Sequence, residues 1–282
     1  MPGTLFVVAT PIGNLEDITG RALRVLREAS IIAAEDTRRT AHLLARYAIS
    51  TPTTSLHEHN EAQKSAALVA RLEHGESIAL VSDAGTPTIS DPGRRLIKAV
   101  IEAGIRVESI PGPNAAIAAL AVSGLPSESF SFLGFPPARS KARSEWFARA
   151  RAIGGTIVFF EAPHRIRETL DQFRKEIGDC QVVVCRELTK MHEELVRGPI
   201  SDVLTRIDPP IGEFTVVAEI GYSTNVASSS APSPQDILTE FGELTKSGRL
   251  SRRAAVASLA KRHRLAANVI YKLIEAGKKS VV

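Results

Sequence analysis

Residues 77–104 read SIALVSDAGTPTISDPGRRLIKAVIEAG. Residues 77–81 form a short apolar run without polar alternation, the pattern of a strand covered on both faces. Residues 94–103 carry apolar side chains at helical spacing and stop at Gly104, a residue suited to the turn that ends a helix. Between them, residues 82–93 hold two acids, four hydroxyls and two Pro/Gly turns. Such a loop is braced by its own side-chain-to-backbone hydrogen bonds. It can aim Asp83 and backbone groups at a ligand, and Asp91 is a candidate N-cap for the helix. Strand, stiff loop and helix in that order are the unit of an α/β fold, whose ligands bind beyond the carboxyl ends of the strands.

The alternation extends along the chain. Further strands are expected at residues 5–9, 31–34, 106–110, 130–134, 156–160, 181–185 and 214–220, with helices at 19–29, 61–72 and 116–121. This order means an α/β protein with a largely parallel sheet. A junction at Pro111-Gly112-Pro113 divides it into a first α/β domain, residues 1–112, and a second, residues 113–222. Residues 223–234 read STNVASSSAPSP, a linker composition. Three helical patterns follow in a small domain, residues 235–282. They are 236–245, then 251–262 opened by Ser251 as N-cap, then 266–276 closed by Gly277. The last two have the form of a helix-turn-helix.

Composition sets outer limits. Of 282 residues, 44% are hydrophobic and 23% charged, enough for a sizeable core and against general disorder. No apolar run approaches the ~20 residues of a membrane span, and no basic segment precedes the first one, so no secretion signal is read. Cys180 and Cys185 make no disulfide framework or zinc spacing, and a reduced, cytoplasmic protein is expected. The net charge of +4 is uneven. Residues 235–282 hold ten Lys/Arg against four Asp/Glu, and the rest of the chain is slightly acidic. A basic appendage calls for an anionic partner, with nucleic acid first.

Four loops at strand ends carry the candidate chemistry: residues 9–14, ATPIGN; residues 82–93; residues 111–115, PGPNA; and residues 159–165, FFEAPHR. Two come from each domain, so they converge on an interdomain cleft. Neither GxGxxG nor GxxxxGK[ST] is present. Two polar clusters, EDTRRT at 35–40 and HEHNE at 57–61, could face a substrate. HEHNE lacks the HExxH spacing and reads as a polar helix start, so no metal is expected. Glu35, Asp36 and His57 are each candidate proton acceptors. Arg38, Arg39, Arg139, Lys141, Arg143 and Arg165 are candidate phosphate contacts, joined by Arg249, Arg252, Arg253, Lys261, Arg262 and Arg264 of the tail.

The segments TPIGNLEDIT (10–19), AEDTRRT (34–40), HEHNE (57–61), SDAGTPTISDPG (82–93), PGPNA (111–115), SGLP (123–126), FLGFPP (132–137) and EAPHRI (161–166) occur in this order. Together they resemble the small-subunit ribosomal RNA methyltransferase I branch of the tetrapyrrole-methylase superfamily, over about residues 5–221. The resemblance implies two α/β domains forming a cofactor cleft, plus a small C-terminal all-α, helix-turn-helix-like domain. It implies S-adenosyl-L-methionine as methyl donor, no metal, a homodimer, and 2′-O-methylation of a cytidine ribose in the decoding region of 16S rRNA in the small ribosomal subunit. By the same resemblance the cofactor would be held by Pro11, Ile12, Asp83, Gly85, Thr86, Asn114, Ala115, Phe160, Glu161 and Ala162. The RNA would meet Arg38, Arg39, Asn60, Arg139, Lys141, Arg143, His164, Arg165, Arg252, Arg253 and Arg262. Ala9-Thr10-Pro11 stands where the wider superfamily has a GxGxG turn, which weighs against a tetrapyrrole substrate. The rival readings are a methylase of a tetrapyrrole or other small substrate, a ligand-sensing nucleic-acid-binding regulator, and a ribosome-assembly factor without catalysis.

Overall fold

The computed structural model describes residues 1–207, 211–221, 234–246, 251–263 and 267–279. The chain forms two compact units, Met1–Tyr222 and Ser223–Val282. The first contains two five-stranded sheets.

Strands β1 (Thr4–Val8), β2 (Ile31–Ala34), β3 (Thr53–Ser55), β4 (Ile78–Val81) and β5 (Arg106–Ile110) form an all-parallel sheet in the order β3-β2-β4-β1-β5. Of its central strands, β2 and β4 are apolar at every position and β1 at all but Thr4, because successive residues feed opposite faces. In β4, Ile78 and Leu80 pack with Leu68 and Leu72 of α3 (Glu61–Glu73) and Leu96 and Val100 of α4 (Arg94–Glu102). Ala79 and Val81 pack on the other face with Val25 and Leu26 of α1 (Gly20–Glu28) and Leu43 and Leu44 of α2 (Thr37–Arg46). After β1 the chain turns to one face, and after β4 to the other. The neighbouring carboxyl ends of β1 and β4 are therefore a topological switch point, where open α/β sheets bind ligands.

The second sheet is not the parallel one expected. Strands β6 (Phe130–Phe132), β7 (Gly155–Glu161), β8 (Gln181–Arg186), β9 (Glu194–Pro199) and β10 (Phe214–Ile220) run in the order β6-β7-β10-β8-β9. Only β6 and β7 are parallel; β10 is antiparallel to β7 and β8, and β8 to β9. The short β8–β9 connection permits a hairpin, whereas a parallel neighbour needs a long crossover. One face packs on α6 (Ser140–Ile153), α7 (Ile166–Ile177) and α8 (Ile200–Arg206), around Trp146, Phe147, Phe159 and Phe173. The other packs on Ala116, Ala119 and Leu120 of α5 (Ala115–Ser123), and Ile12 and Leu188 join this second core.

In the second unit, α9 (Pro234–Lys246), α10 (Arg252–His263) and α11 (Ala267–Lys279) bury Ile237, Leu259, Ile270 and Ile274 together. Ser251 caps α10 through a bond from the Ala254 N–H. Gly277 does not end the last helix: α11 runs past it, and a Cβ there would strike the carbonyl of Pro234. The expected linker, apart from Pro234, lies outside the described residues, as do Arg249 and Arg264. Among the described residues no helix is long and apolar enough to cross a membrane.

Candidate active site

The loops after β1 and β4 are joined before they part. Thr10 and Gly85 exchange backbone hydrogen bonds of 2.9 and 3.0 Å, and Thr10 Oγ1 donates to the Ser82 carbonyl. Gly85 lies at φ 78°, a conformation that favours glycine. Thr86 Oγ1 donates to the Pro113 carbonyl and so holds the third loop beside the second. Asn114 then caps α5, its Oδ1 accepting from the N–H groups of Ala116 and Ile117 at 3.0 and 3.2 Å. Gly13 closes the approach to the second sheet. A Cβ there would lie 2.9 Å from the Leu188 carbonyl and 2.8 Å from Thr189 Oγ1. The Asn14 N–H donates to that same hydroxyl at 3.0 Å.

These ties shape a cavity of about 370 Å³ between the two sheets. Ile12, Asp83, Gly85, Thr86, Asn114, Ala115, Phe160, Glu161 and Ala162 all line it. Pro11 is buried but does not line it, and its ring stiffens the turn. Phe135, from the FLGFPP segment, also lines the cavity, as do Leu188 and Glu213, which no motif distinguished. The wall is apolar at Ile12, Phe135, Phe160 and Leu188. Phe132 and Phe135 brace the Phe160 ring at centroid distances of 4.9 and 5.4 Å.

Glu161 is fully enclosed, and its oxygens are committed. They accept from the Ala162 N–H at 2.7 Å, from Thr169 Oγ1 and from the Arg165 guanidinium at 2.6 Å. Glu161 therefore fixes the wall at Ala162, and Arg165 is partly spent on holding it. Arg143 completes this network and is a correction to the RNA-contact set. It is 6% exposed and donates to Thr169 Oγ1, Gln172 Oε1 and the Pro137 carbonyl. Its helical phase turns it inward from the basic run, whereas Arg139, Lys141 and His164 are exposed.

The polar clusters resolve into distinct tasks. EDTRRT is not an open loop, because α2 begins at Thr37 with Asp36 as its N-cap. Asp36 accepts from the Arg38 N–H and guanidinium, which hold its carboxyl well below the usual carboxylate range. Glu35 lines the cavity, and burial raises its carboxyl above the ordinary value, opposed by a bond from the Asp83 N–H. Asp83 in turn accepts from the Asp36 N–H at 2.9 Å and lies 3.5 Å from the Arg39 guanidinium. Arg38 is exposed beside it. Asn60 is turned inward on its own loop: its Oδ1 accepts from the His57 N–H, and its Nδ2 lies 3.0 Å from His57 Nε2. It orders His57 and stays partly exposed. His57 Nδ1 is buried without a partner. Among the described residues no group of His, Cys, Asp and Glu is placed to hold a metal ion.

Asp91 does not cap α4. The N-cap is Gly93 at φ 118°, and the amides of Gly93, Arg95 and Leu96 donate instead to Glu61 Oε1 at 3.1, 2.6 and 3.2 Å. Asp91 lines the cavity, and its carboxyl is pushed up to about 6 by burial and then by the nearby Glu35 charge.

Residues 4–204 match the family model for tetrapyrrole (corrin/porphyrin) methylases. A protein of Halalkalibacterium halodurans named ribosomal RNA small subunit methyltransferase I is 48% identical over 77% of this chain and 76% of its own length. One of the same name from Vibrio cholerae is 45% identical over 95% of this chain and 93% of its own. Among solved structures, a diphthine synthase superposes with a TM-score of 0.60 at 15% identity, over 77% of this chain and 90% of that one, a likeness of fold. Long-range identity to these relatives and the match across both sheets agree: the chain belongs to the tetrapyrrole methylase family, in the branch that carries the name ribosomal RNA small subunit methyltransferase I.

Proposed function

We propose that the chain methylates a ribose 2′-hydroxyl of a cytidine in the decoding region of small-subunit ribosomal RNA, with S-adenosylmethionine as donor, in the cytoplasm. The observation that carries this reading is the cavity between the sheets, where nine of the ten cofactor candidates meet. Its size lies in the range of small-molecule sites, roughly 300–1,000 Å³. Apolar walls at Ile12, Phe160 and Leu188 suit an adenine ring, and the polar edge at Asp83, Thr86 and Asn114 suits an amino-acid group. When bound, S-adenosylmethionine supplies an electrophilic sulfonium methyl group. The chain's own part is to orient, exclude water and accept a proton. Alignment of reacting groups is worth up to ~7–11 kcal/mol. Glu35 is favoured over Asp36 as proton acceptor. It lines the cavity, and burial makes it the more basic carboxylate, while Asp36 is held by Arg38.

The exposed Arg38, Arg39, Arg139, Lys141 and His164, with Arg252 and Arg253 of the helical unit, supply charge for an RNA backbone. The reading includes a homodimer: α5 is almost wholly apolar yet leaves Ile117 and Val122 exposed at 52% and 44%, as a face awaiting cover would.

The test is incubation with S-adenosylmethionine and small subunits lacking the modification. Ribose methylation is then mapped by reverse-transcription stops and mass spectrometry of nuclease digests. One new 2′-O-methylcytidine in the decoding region is expected. Cofactor binding by calorimetry with no methylated RNA would overturn the substrate, and turnover of a porphyrinogen would replace it.

A further inference from the structure

A second cavity, of about 680 Å³, adjoins the first. The two share Glu35, Ser90 and Asp91, which form a partition between them. On the far side the second cavity is lined by His57, Glu58, His59 and Glu61, and by Arg94, Arg95 and Lys98 of α4. Glu35 and Asp91 stand at the partition and three cations along α4, while on the far side Glu61 is spent on the α4 amides and Glu58 is exposed beside the histidines. Arg94 and Arg95 are exposed, and among the described residues neither pairs with an acid; Lys98 lies 3.6 Å from Glu102. The start of α4 does not itself offer amides to an anion, because Glu61 already occupies those of Gly93, Arg95 and Leu96. Attraction for an anion here falls to the arginine side chains, whose planar forks match phosphate oxygens.

We infer that this second cavity is the acceptor subsite, taking a ribose–phosphate unit of single-stranded RNA with its phosphate on Arg94 and Arg95 and its sugar hydroxyl at the Glu35–Asp91 partition. The inference rests on the methyl-transfer reading and assigns where its substrate sits. A ribose–phosphate unit has one anionic edge and one neutral, hydrogen-bond-donating edge. The acidic partition repels the first and accepts a bond from the second, while Arg94 and Arg95, which pair with no acid among the described residues, attract the phosphate, and this favours the orientation. The hydroxyl then stands against the wall shared with the cofactor cavity. Lys98 adds charge at the outer end. The rings of His57 and His59, their centroids 6.0 Å apart, flank the sugar side.

The test is the Arg94→Ala/Arg95→Ala double variant of the full chain. Its binding to a fluorescein-labelled oligoribonucleotide of decoding-region sequence is followed by anisotropy against salt. Its binding to S-adenosylhomocysteine is followed by calorimetry. Two lost phosphate contacts lower the slope of log K against log salt by about 1.4, at about 0.7 per contact on a single strand. RNA affinity is expected to fall at least tenfold at low salt, with S-adenosylhomocysteine affinity within twofold of the parent, and Arg94→Lys/Arg95→Lys is expected to restore the slope. An unchanged slope, or loss of RNA and S-adenosylhomocysteine binding together, would overturn the assignment. So would a porphyrinogen held by the same two arginines in place of RNA. A parent protein that methylates no RNA yet shows the arginine-dependent slope would sink the proposed reaction and keep the RNA subsite. A parent that methylates RNA, with a double variant that binds like it, would do the opposite.

Discussion

Removing the Glu61 carboxylate is expected to loosen the whole approach to the cavities. Glu61 lies in the first turn of α3, is 5% exposed, and spends one oxygen on three amides of another helix. Glu61→Ala leaves the N–H groups of Gly93 and Leu96 buried without a partner, whereas Arg95 is exposed and its amide can take water. Each buried orphan amide costs roughly 1–3 kcal/mol, and a carboxylate at a helix N-terminus contributes ~0.3–2 kcal/mol. Because Glu61 also borders the second cavity, water can enter and satisfy part of the loss. A destabilisation of about 3 kcal/mol is the expected result. Glu61→Gln keeps an oxygen in place and is expected to cost about 1 kcal/mol. Urea unfolding followed by fluorescence of Trp146, the chain's only tryptophan and a buried one, reads both values in the first unit. A loss below about 1 kcal/mol for Glu61→Ala would refute the reasoning, since hydrogen bonds to charged groups are worth ~1.5–3 kcal/mol.

Asp91 gives a pH signature. Its carboxyl rises from an ordinary 3.8 to about 6, so the folded chain holds that proton more tightly than the unfolded one. Its effect on stability therefore worsens as pH climbs from about 4 through about 6, reaching at most about 3 kcal/mol above. Asp91→Asn is accordingly expected to raise the melting temperature at pH 8 and to leave it unchanged near pH 4; an equal gain at both would sink the assignment. Arg143→Met is expected to cost about 2–4 kcal/mol by stripping Thr169 and Gln172 of their charged partner, while Arg139→Ala and Lys141→Ala move stability by less than about 0.5 kcal/mol and weaken RNA binding. Deleting residues 235–282 is expected to leave S-adenosylhomocysteine binding intact and to flatten the salt dependence of RNA affinity. An unchanged slope would show that the helical unit does not contact phosphate.

Legibility in the sequence followed local pattern. The central strands were readable because they are largely apolar runs, and the cavity loops because Pro, Gly and hydroxyls crowd the strand ends. The edge strands β3 and β9 were not. The first is three polar residues, and the second contains Gly198 and Pro199. Their strand character comes from the neighbour they pair with. The antiparallel order of the second sheet was hidden for a related reason, since an apolar run does not reveal its direction. Motif order also indicated the cavity wall, yet it could not separate Arg139, at the extended N-cap of α6, and Lys141 from Arg143, which helical phase turns inward. Nor could it show that Glu61 serves a helix that starts 33 positions later.

The backbone itself marks where the fold was shaped for a ligand. Among the described residues, five that are not glycine have left-handed backbone: Ala48, Thr88, Ser90, Glu187 and Thr189. Four of them stand in two segments, one on each side of the first cavity. Ser90 lies on its wall, and Leu188 does so between Glu187 and Thr189. Each such residue costs of order 1–3 kcal/mol and persists only where its surroundings over-determine it. For three of them those surroundings are visible. Glu187 accepts from the Glu213 N–H and pairs with Lys190, Thr189 accepts from the Asn14 N–H and donates its own N–H to Glu193, and Thr88 is half-buried in the loop that Thr86 ties to Pro113. A relaxed turn at either place would serve folding better. Strain retained on both walls is therefore best explained by what the walls must hold, and the two are tied through the loop after β1, which bonds Thr189 at Asn14 and Gly85 at Thr10.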